Sequence, residues 1–209
     1  MRESGMVVRA VVFDIGGVLE KVEDVGQWLD PWRTRLGMTA DAFEEALAGV
    51  DPDNLMQTGG MTEGEYRAAC AGVLGLTDPQ ADEFLADMWD WYCGELDTEL
   101  MAYATVLRDT HVTAILSNSA DGARREEESR YSFGDVFDPI IYSHEVGLAK
   151  PDRAVYELTC RRLGLPPDQV VFLDNVQACV DGAREYGMHG VLHRDTRDSV
   201  ARIDALLGS

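Results

Sequence analysis

Four residues of this chain have side chains suited to holding a metal ion and a phosphate. Three of them directly follow a short apolar run and the fourth lies a few residues beyond another: Asp14, Ser117, Asp174 and Lys150. The two carboxylates are hard oxygen ligands of the kind that Mg²⁺ prefers. The hydroxyl and the neighbouring Asn118 can donate hydrogen bonds to a phosphate, and the ammonium adds a positive charge. A carboxylate can also attack phosphorus, forming an aspartyl-phosphate that water then hydrolyses.

The segment around Asp14, VVFDIGGVL, continues into two adjacent glycines. Gly16 and Gly17 allow the main chain to turn tightly, because glycine adopts conformations that other residues avoid. Such a turn leaves a carbonyl free for a metal and amides free for an anion, which makes Gly17 a candidate phosphate-binding residue. Asp14 is therefore predicted to be the reactive group. Taken alone, an aspartate at a strand end is as often a turn former or a helix cap.

Short apolar runs predict the strands that position these residues. The runs span 7–13, 112–116, 139–142 and 170–173, with a weaker one at 190–192. They do not alternate with polar residues, which is typical of parallel strands covered on both faces. Amphipathic helical patterns lie between the later runs. The sequence therefore predicts an α/β fold with a doubly wound, Rossmann-like parallel sheet, and ligands bind at the carboxyl ends of such strands.

The segment 20–94, between the first and second strands, carries only helical patterns. Within it, Thr62 to Glu65 has the spacing of a capping box at a helix start. The sequence predicts two domains: an α/β core formed by 1–19 and 95–209, and an inserted helical domain formed by 20–94. The four tryptophans of the insert are interpreted mainly as packing residues. Three polar residues of the insert are candidates for selecting a substrate: Arg33, Gln57 and Arg67.

The composition excludes several function classes. The chain has 209 residues, of which 45% are hydrophobic and 27% charged, as in globular proteins. Its formal net charge of −20 disfavours nucleic acid and anionic lipid as partners. No apolar stretch approaches the roughly 20 residues that span a bilayer. Met1 to Gly5 lack the features of a signal peptide. We expect a cytoplasmic monomer or homodimer that acts on a small molecule, with its four cysteines buried rather than in disulfides or a zinc site.

Four segments resemble, in order, the motifs of the haloacid dehalogenase superfamily. They are VVFDIGGVL, AILSNS, SHEVGLAKPD and VVFLDNVQACVDGA, and together they span nearly the whole chain. The resemblance implies Asp14 as nucleophile, Ser117 as a phosphate-binding residue, and Lys150 as a catalytic and phosphate-binding residue. It implies Asp174 and the Gly16 carbonyl as Mg²⁺ ligands together with Asp14. The helical insert resembles the family's type-1 cap. The chain looks closest to the phosphatase branch that includes the N-terminal domain of soluble epoxide hydrolase and bacterial sugar phosphatases.

Two positions depart from the family pattern. Gly16 stands where family phosphatases usually carry a second aspartate, the general acid for the leaving group. General acid catalysis is typically worth about 10²–10⁴-fold. The departure therefore favours leaving groups that are already stable anions, such as a phenolate, an acyl group or a sugar's anomeric oxygen. Asn175 stands beside Asp174 where a second acid is common, so the metal site lacks one negative charge.

These observations predict an Mg²⁺-dependent phosphatase of small phosphorylated metabolites. One alternative is a weak or inactive family member that binds a phosphorylated ligand or a protein partner, which Gly16 and Asn175 motivate. Another is a 2-haloacid dehalogenase, although the fourth segment lacks the Ser-Ser-Asn run of that branch. His144, near the third segment, is interpreted as a loop residue. The run RREEESR, 124–130, is interpreted as a solvent-exposed helix face with Arg124 and Glu128 paired.

Overall fold

Seven strands are present in residues 7–208, the part of the chain that the computed structural model describes. They are β1 (Ala10–Phe13), β2 (Glu20–Lys21), β3 (Glu95–Leu96), β4 (Val112–Ser117), β5 (Ile140–Tyr142), β6 (Val170–Asp174) and β7 (His189–Leu192). Five of them form one parallel sheet in the order β5-β4-β1-β6-β7. The predicted α/β fold with a parallel sheet is confirmed.

Ten α-helices lie in the same described range. They are α1 (Gly26–Leu36), α2 (Ala40–Ala48), α3 (Glu63–Leu74), α4 (Asp78–Cys93), α5 (Thr98–Leu107), α6 (Ala123–Tyr131), α7 (Ser143–Val146), α8 (Arg153–Leu163), α9 (Gln177–Tyr186) and α10 (Thr196–Leu207). Residues of α8 and α9 pack on one face of the sheet, and residues of α5 and α10 pack on the other. Both faces of the sheet are therefore covered.

The central position of β1 explains its uninterrupted apolar sequence. Successive side chains of a strand point to opposite faces of the sheet. Val11 and Phe13 join the cluster that contains α5 and α10, whereas Ala10 and Val12 join the cluster with α8 and α9. All four residues are fully buried. A strand buried on both faces shows no alternation of polar and apolar residues.

Helices α1–α4 form a helical unit with its own buried cluster. The cluster takes residues from the four helices and their connections: Trp32, Phe43, Val50, Cys70, Leu74 and Phe84. The predicted capping box is present at the start of α3. Thr62 Oγ1 accepts from the Glu65 N–H at 3.2 Å, and Glu65 Oε2 accepts from the Thr62 N–H at 2.8 Å. The two bonds satisfy amides that a helix start would otherwise leave unpaired.

A short antiparallel ribbon stands where the helical unit leaves the sheet. The sequence pattern predicts no strand within 20–94, whereas Glu20 and Lys21 form β2 and pair with β3. Two residues are too few to produce a periodic pattern, which is why the strand escapes prediction. The Asp97 N–H also donates to the Leu19 carbonyl at 2.8 Å and extends the contact. We propose this ribbon as the boundary between the helical domain, 20–94, and the core, 1–19 and 95–209.

Two further predictions concern burial and membranes. All four cysteines are buried and free, as predicted: Cys70, Cys93, Cys160 and Cys179. Among residues 7–208, no helix combines the length and apolarity needed to cross a membrane. The prediction about Met1 to Gly5 lies outside the described residues.

Candidate active site

One ammonium group joins two carboxylates at the carboxyl edge of the sheet. Lys150 Nζ lies 2.7 Å from Asp14 Oδ1 and 2.7 Å from Asp174 Oδ2. The Lys150 and Asp174 side chains are buried, and Asp14 keeps 10% of its side chain exposed. These residues, here called the ion triad, come from three distant segments of the chain. The structure therefore brings together the three charged residues that the sequence predicted to converge.

The register of the parallel strands explains why the two carboxylates meet. Phe13 of β1 pairs with Leu173 of β6. Asp14 directly follows β1 and Asp174 is the last residue of β6, so the two residues lie side by side at the carboxyl edge of the sheet. The Asp14 N–H donates to the Leu173 carbonyl at 2.9 Å. The Val176 N–H donates to Asp174 Oδ1 at 2.7 Å, which fixes the orientation of that carboxylate.

Burial and charge act in opposite directions in the ion triad. Burial raises the pKa of Asp14 to about 6, against the lowering effect of Lys150 and together with the raising effect of Asp174. Burial lowers the pKa of Lys150, but the two carboxylates outweigh it and the net shift is upward. Lys150 therefore remains protonated at neutral pH. The triad has one ammonium and two carboxylates, so negative charge is in excess. This excess repels a phosphate unless another cation is bound.

Asn118 fixes the main chain of Lys150. Its Nδ2 donates to the Lys150 carbonyl at 2.9 Å, and its Oδ1 accepts from the Lys150 N–H at 2.8 Å. Ser117 is buried at the end of β4, with its Oγ 3.4 Å from the Asn118 carbonyl oxygen. The side chain of Asn118 is thus engaged in positioning Lys150, a role that the sequence did not indicate. The predicted phosphate contacts of Ser117 and Asn118 stay predictions.

The turn after Asp14 uses its two glycines differently. Gly17 has φ +76°, and a Cβ there would lie 2.1 Å from Asn175 Nδ2, so the turn requires glycine. The Gly17 N–H donates to the Glu20 carbonyl at 2.7 Å, and its predicted bond to phosphate stays a prediction. Gly16 is exposed, and apart from its own atoms and those of its two chain neighbours, no heavy atom lies within 4 Å of the place where its Cβ would stand. A side chain would therefore fit at position 16.

The oxygen donors of the site fit one Mg²⁺ ion. Asp14 and Asp174 contact the same Nζ atom, so their contacting oxygens are at most twice that contact distance apart. Mg²⁺ is usually held by one or two carboxylates and keeps several waters. Within residues 7–208, no group of three Cys, His, Asp or Glu side chains could hold a metal, which agrees with an amide at Asn175. We propose Asp14, Asp174 and the Gly16 carbonyl as the ligands.

A cavity of about 440 Å³, here called the cleft, lies between the helical unit and the loop 118–120. Trp28 of α1 and Trp91 of α4 line it. Trp32 and Trp89 are buried instead and donate their indole N–H groups to carboxylates. The packing interpretation therefore describes two of the four tryptophans, while the other two form part of a cavity wall.

The three polar candidates of the insert also differ in whether they line the cleft. Gln57 lines the cleft. Arg33 forms an ion pair with Asp30 at 3.1 Å, and Arg67 pairs with Asp82 at 2.6 Å. Neither arginine lines the cleft. Only Gln57 is therefore placed where it would contact a ligand in the cleft.

His144 lies in α7 and not in a loop. Its Nδ1 is 2.8 Å from Ser119 Oγ, and burial lowers the pKa of the imidazole. Ser119 follows β4 and His144 follows β5, and these two strands are neighbours in the sheet. Strand order is therefore the signal that would have found this contact, because the two residues are far apart along the chain.

Two more carboxyl groups are buried without a counter-charge in contact. Glu20 of β2 and Glu127 of α6, here called the acid pair, are 0% exposed. Within the described residues, neither Glu20 oxygen has a hydrogen-bond partner, and Glu127 has one, the Tyr142 hydroxyl. Burial raises the pKa of Glu20 to about 10 and that of Glu127 to about 8, and Asp14 contributes to both rises. Both carboxyls are predominantly protonated at neutral pH.

The burial of Glu127 corrects the interpretation of RREEESR. The segment is helical, as α6, but this glutamate points into the protein and not to solvent. Arg124 pairs with Glu145 at 2.6 Å, and no contact joins it to Glu128. Glu128 Oε2 instead accepts from the Gly134 N–H at 3.0 Å. A run of charges predicts exposure on average, but it does not indicate which member faces inward.

The chain belongs to the haloacid dehalogenase-like hydrolase family, whose model matches residues 8–187. The family predicted from the four segments is thus confirmed. Bifunctional epoxide hydrolase 2 of Sus scrofa is 28% identical over 220 residues, 97% of this chain and 39% of that protein. This chain therefore spans about two-fifths of that relative. Phosphatase MT3486 of Mycobacterium tuberculosis is 27% identical over 214 residues, 98% of this chain and 97% of that protein.

A solved structure shares the fold. The HAD family enzyme bt-2542 of Bacteroides thetaiotaomicron, in complex with magnesium and inorganic phosphate, aligns with a TM-score of 0.75 at 20% identity. The alignment covers 90% of this chain and 94% of that chain. Solved haloacid dehalogenases share this fold as well. The fold alone therefore does not separate attack on phosphorus from attack on carbon.

Proposed function

We propose that this protein is an Mg²⁺-dependent phosphatase that hydrolyses small phosphate monoesters through an aspartyl-phosphate on Asp14. The observation that carries the proposal is the contact of Lys150 Nζ with both Asp14 and Asp174 at 2.7 Å. It joins Asp14, the proposed nucleophile, and Asp174, a proposed metal ligand, to one ammonium group at one sheet edge. The full-length similarity to a mycobacterial phosphatase supports the same function.

Hydrolysis on this site takes two displacements at phosphorus. First, an oxygen of the Asp14 carboxylate forms a bond to phosphorus while the bond to the leaving-group oxygen breaks. That oxygen departs with the bonding electron pair and takes a proton from water, because Gly16 has none to give. Next, a water oxygen attacks the phosphorus of the aspartyl-phosphate and the bond to Asp14 breaks. The carboxylate is regenerated, and one water has been consumed for each alcohol and inorganic phosphate released.

Lys150 has two tasks in this sequence. Its ammonium orients the Asp14 carboxylate and places a positive charge where the phosphate binds. Asn118 holds the main chain of Lys150, so the charge is fixed before substrate arrives. A Mg²⁺ ion held by Asp14, Asp174 and the Gly16 carbonyl would neutralise phosphate charge and stabilise the transition state.

Replacement of the nucleophile tests this function. Asp14→Asn keeps the shape of the side chain but removes the attacking carboxylate. With phenyl phosphate and Mg²⁺, we expect the rate of inorganic phosphate release to fall by about 10³-fold or more. Asp109→Asn, which changes an exposed aspartate in the turn after α5, is the control and should retain the wild-type rate. A rate that survives Asp14→Asn contradicts the proposal, as does chloride release from 2-chloropropionate without Mg²⁺ in place of phosphate release.

A second candidate function is binding of a phosphorylated ligand without turnover. Gly16 and Asn175 favour it, because neither supplies an acid at the site. This candidate predicts that a phosphate ester raises the melting temperature by binding to the folded state, with no release of phosphate. Hydrolysis of the same ester under the same conditions would remove it.

A further inference from the structure

We propose that the substrate is an aryl phosphate whose leaving group is an uncharged aromatic ring system that binds in the cleft. This substrate class rests on the phosphatase function proposed above and makes it specific. Two independent features support it: the lining of the cleft, and the absence of a side chain at Gly16.

Asn118 connects the cleft to the ion triad. All four helices of the helical unit, or the segments next to them, contribute to the wall of the cleft, and the core contributes the loop 118–120. Asn118, in that loop, also holds the main chain of Lys150. We therefore place in the cleft the group that is attached to a phosphate at Asp14.

Aromatic rings dominate one wall of the cleft. Trp28 and Trp91 stack on each other with ring centroids 6.0 Å apart and planes inclined by 29°. Tyr66 and Tyr92 line the same cavity. Flat aromatic groups pack favourably against such rings in offset or edge-on arrangements. The wall therefore suits a flat aromatic ring system.

The charges of the cleft exclude an anionic leaving group. Every lining residue falls within the described chain, and none of them is Lys, Arg or His. The one charged lining residue is Asp51, and its two oxygens accept main-chain N–H groups of Leu55 at 2.7 Å and Met56 at 3.0 Å. A second phosphate or a carboxylate on the leaving group would lose water without gaining a counter-charge.

The chemistry at Gly16 separates aryl from alkyl esters, both of which can carry an uncharged leaving group. When the bond between phosphorus and the leaving oxygen breaks, that oxygen carries away the electron pair. A phenol has a pKa of about 10, whereas the pKa of water, which simple alcohols resemble, is far higher. A phenolate therefore departs without a general acid and takes its proton from water afterwards. An alkoxide needs the acid that position 16 lacks.

Paired substrates of similar apolarity test the substrate class. We expect kcat/KM for 2-naphthyl phosphate to exceed that for octyl phosphate by about 10²-fold or more, the usual size of a general-acid contribution. A carboxylate on the far ring of the naphthyl group should raise KM by about 10-fold, the scale of one unpaired charge at a partly wet site. Equal or faster turnover of octyl phosphate, or of the carboxylated ester, overturns the aryl proposal.

Two matched variants test whether the cleft is the binding place. Ala48, at the end of α2, is exposed and lines the cleft, whereas Ala42 is exposed on the same helix and does not. Ala48→Arg should lower KM for the carboxylated naphthyl ester relative to the uncharged one by about 10-fold, because it supplies the missing counter-charge. Ala42→Arg should leave the ratio unchanged. An identical ratio in both variants contradicts binding in the cleft.

The outcomes distinguish this inference from the function on which it rests. Turnover of octyl phosphate at or above the rate of 2-naphthyl phosphate, still abolished by Asp14→Asn, leaves the phosphatase function standing and contradicts only the aryl class. No phosphate release from any ester contradicts both. Turnover of 2-naphthyl phosphate that Asp14→Asn abolishes, with the expected ratio between esters, supports both.

Discussion

The ion triad and the acid pair are both buried groups of carboxyls, and they differ in one respect. In the triad, Lys150 contacts both carboxylates at 2.7 Å. In the acid pair, Glu20 and Glu127 have no cation in hydrogen-bond contact within the described chain. Burial raises the pKa of Asp14, Glu20 and Glu127, but the rise is to about 6 for Asp14 and to about 10 for Glu20.

The comparison shows what a single lysine contributes to a buried site. A carboxyl that is buried alone becomes a neutral acid, because low polarity disfavours its charged form. A carboxyl buried beside an ammonium remains a carboxylate at neutral pH and can serve as a nucleophile or a metal ligand. Asp14 is therefore ionised at neutral pH, as the proposed phosphoryl transfer requires. The acid pair is predominantly neutral at the same pH, which suits a structural role.

Removal of the lysine should make the triad behave like the acid pair. Lys150→Met leaves Asp14 and Asp174 buried without a counter-charge. We expect the free energy of unfolding to fall by about 3–5 kcal/mol and phosphate release to fall by about 10³-fold, measured by urea unfolding at pH 7 and by phosphate assay. Lys21→Met changes the other lysine of the chain, which is 64% exposed, and should cost less than about 1 kcal/mol. Similar losses in both variants would contradict the role given to the triad.

Addition of an exposed carboxyl beside the triad should supply the missing proton donor. Gly16→Asp places a side chain where no heavy atom beyond the two neighbouring residues lies within 4 Å of the Cβ position. We expect kcat/KM for octyl phosphate to rise by about 10-fold or more, and that for 2-naphthyl phosphate to change little. Gly16→Asn has the same shape without the acidic proton and should not raise the octyl rate. A rise with asparagine as large as with aspartate would show that space, and not proton transfer, limits the reaction.

Removal of an acid from the pair should stabilise the protein at alkaline pH. The pKa of Glu20 is raised from 4.5 to about 10 by folding, so the folded state holds a proton that the unfolded state releases. Stability linked to this group is full below about pH 4.5 and falls as pH rises towards 10, by at most about 1.4 kcal/mol per pH unit. Glu20→Leu should flatten this decline and raise the melting temperature more at pH 8 than at pH 5.

The control for that variant is Glu23→Leu, an exposed glutamate three residues further along. It should leave the pH dependence of the melting temperature unchanged. Thermal unfolding at several pH values between 5 and 9 measures both variants. A Glu20→Leu protein with the wild-type slope would show that the acid pair is not protonated through folding.

The strands and the convergence of the triad could be predicted because they follow from short-range rules. An apolar run such as 170–173 indicates a buried strand, and parallel strands bring the residues after them to one edge. Asp14, Lys150 and Asp174 meet for this reason. The same rules give no information about Asn118, whose side chain could face phosphate or protein. Its double hydrogen bond to Lys150 depends on the path of a loop that no local pattern encodes.

The sequence could not predict which way a side chain faces when its residue type suits more than one environment. Glu127 lies in the segment 124–130, in which six of the seven residues are charged, and only the packing of α6 against the sheet decides that it faces inward. Trp28 and Trp32 are one helical turn apart, yet one lines the cleft and the other is buried in the cluster of the helical unit. Helical spacing indicates that such residues share a face, but it does not indicate where that face ends and a cavity begins.

The location of the tryptophans allows intrinsic fluorescence to report on the helical unit. All four lie in 28–91, on α1 and α4, and the sheet has none. Intrinsic fluorescence excited selectively through indole therefore originates from the helical unit alone. Emission should be quenched when an aromatic compound stacks beside Trp28 and Trp91, and it should respond far less to inorganic phosphate. A fluorescence titration of the unlabelled protein would thus measure binding in the cleft separately from phosphate binding at the ion triad.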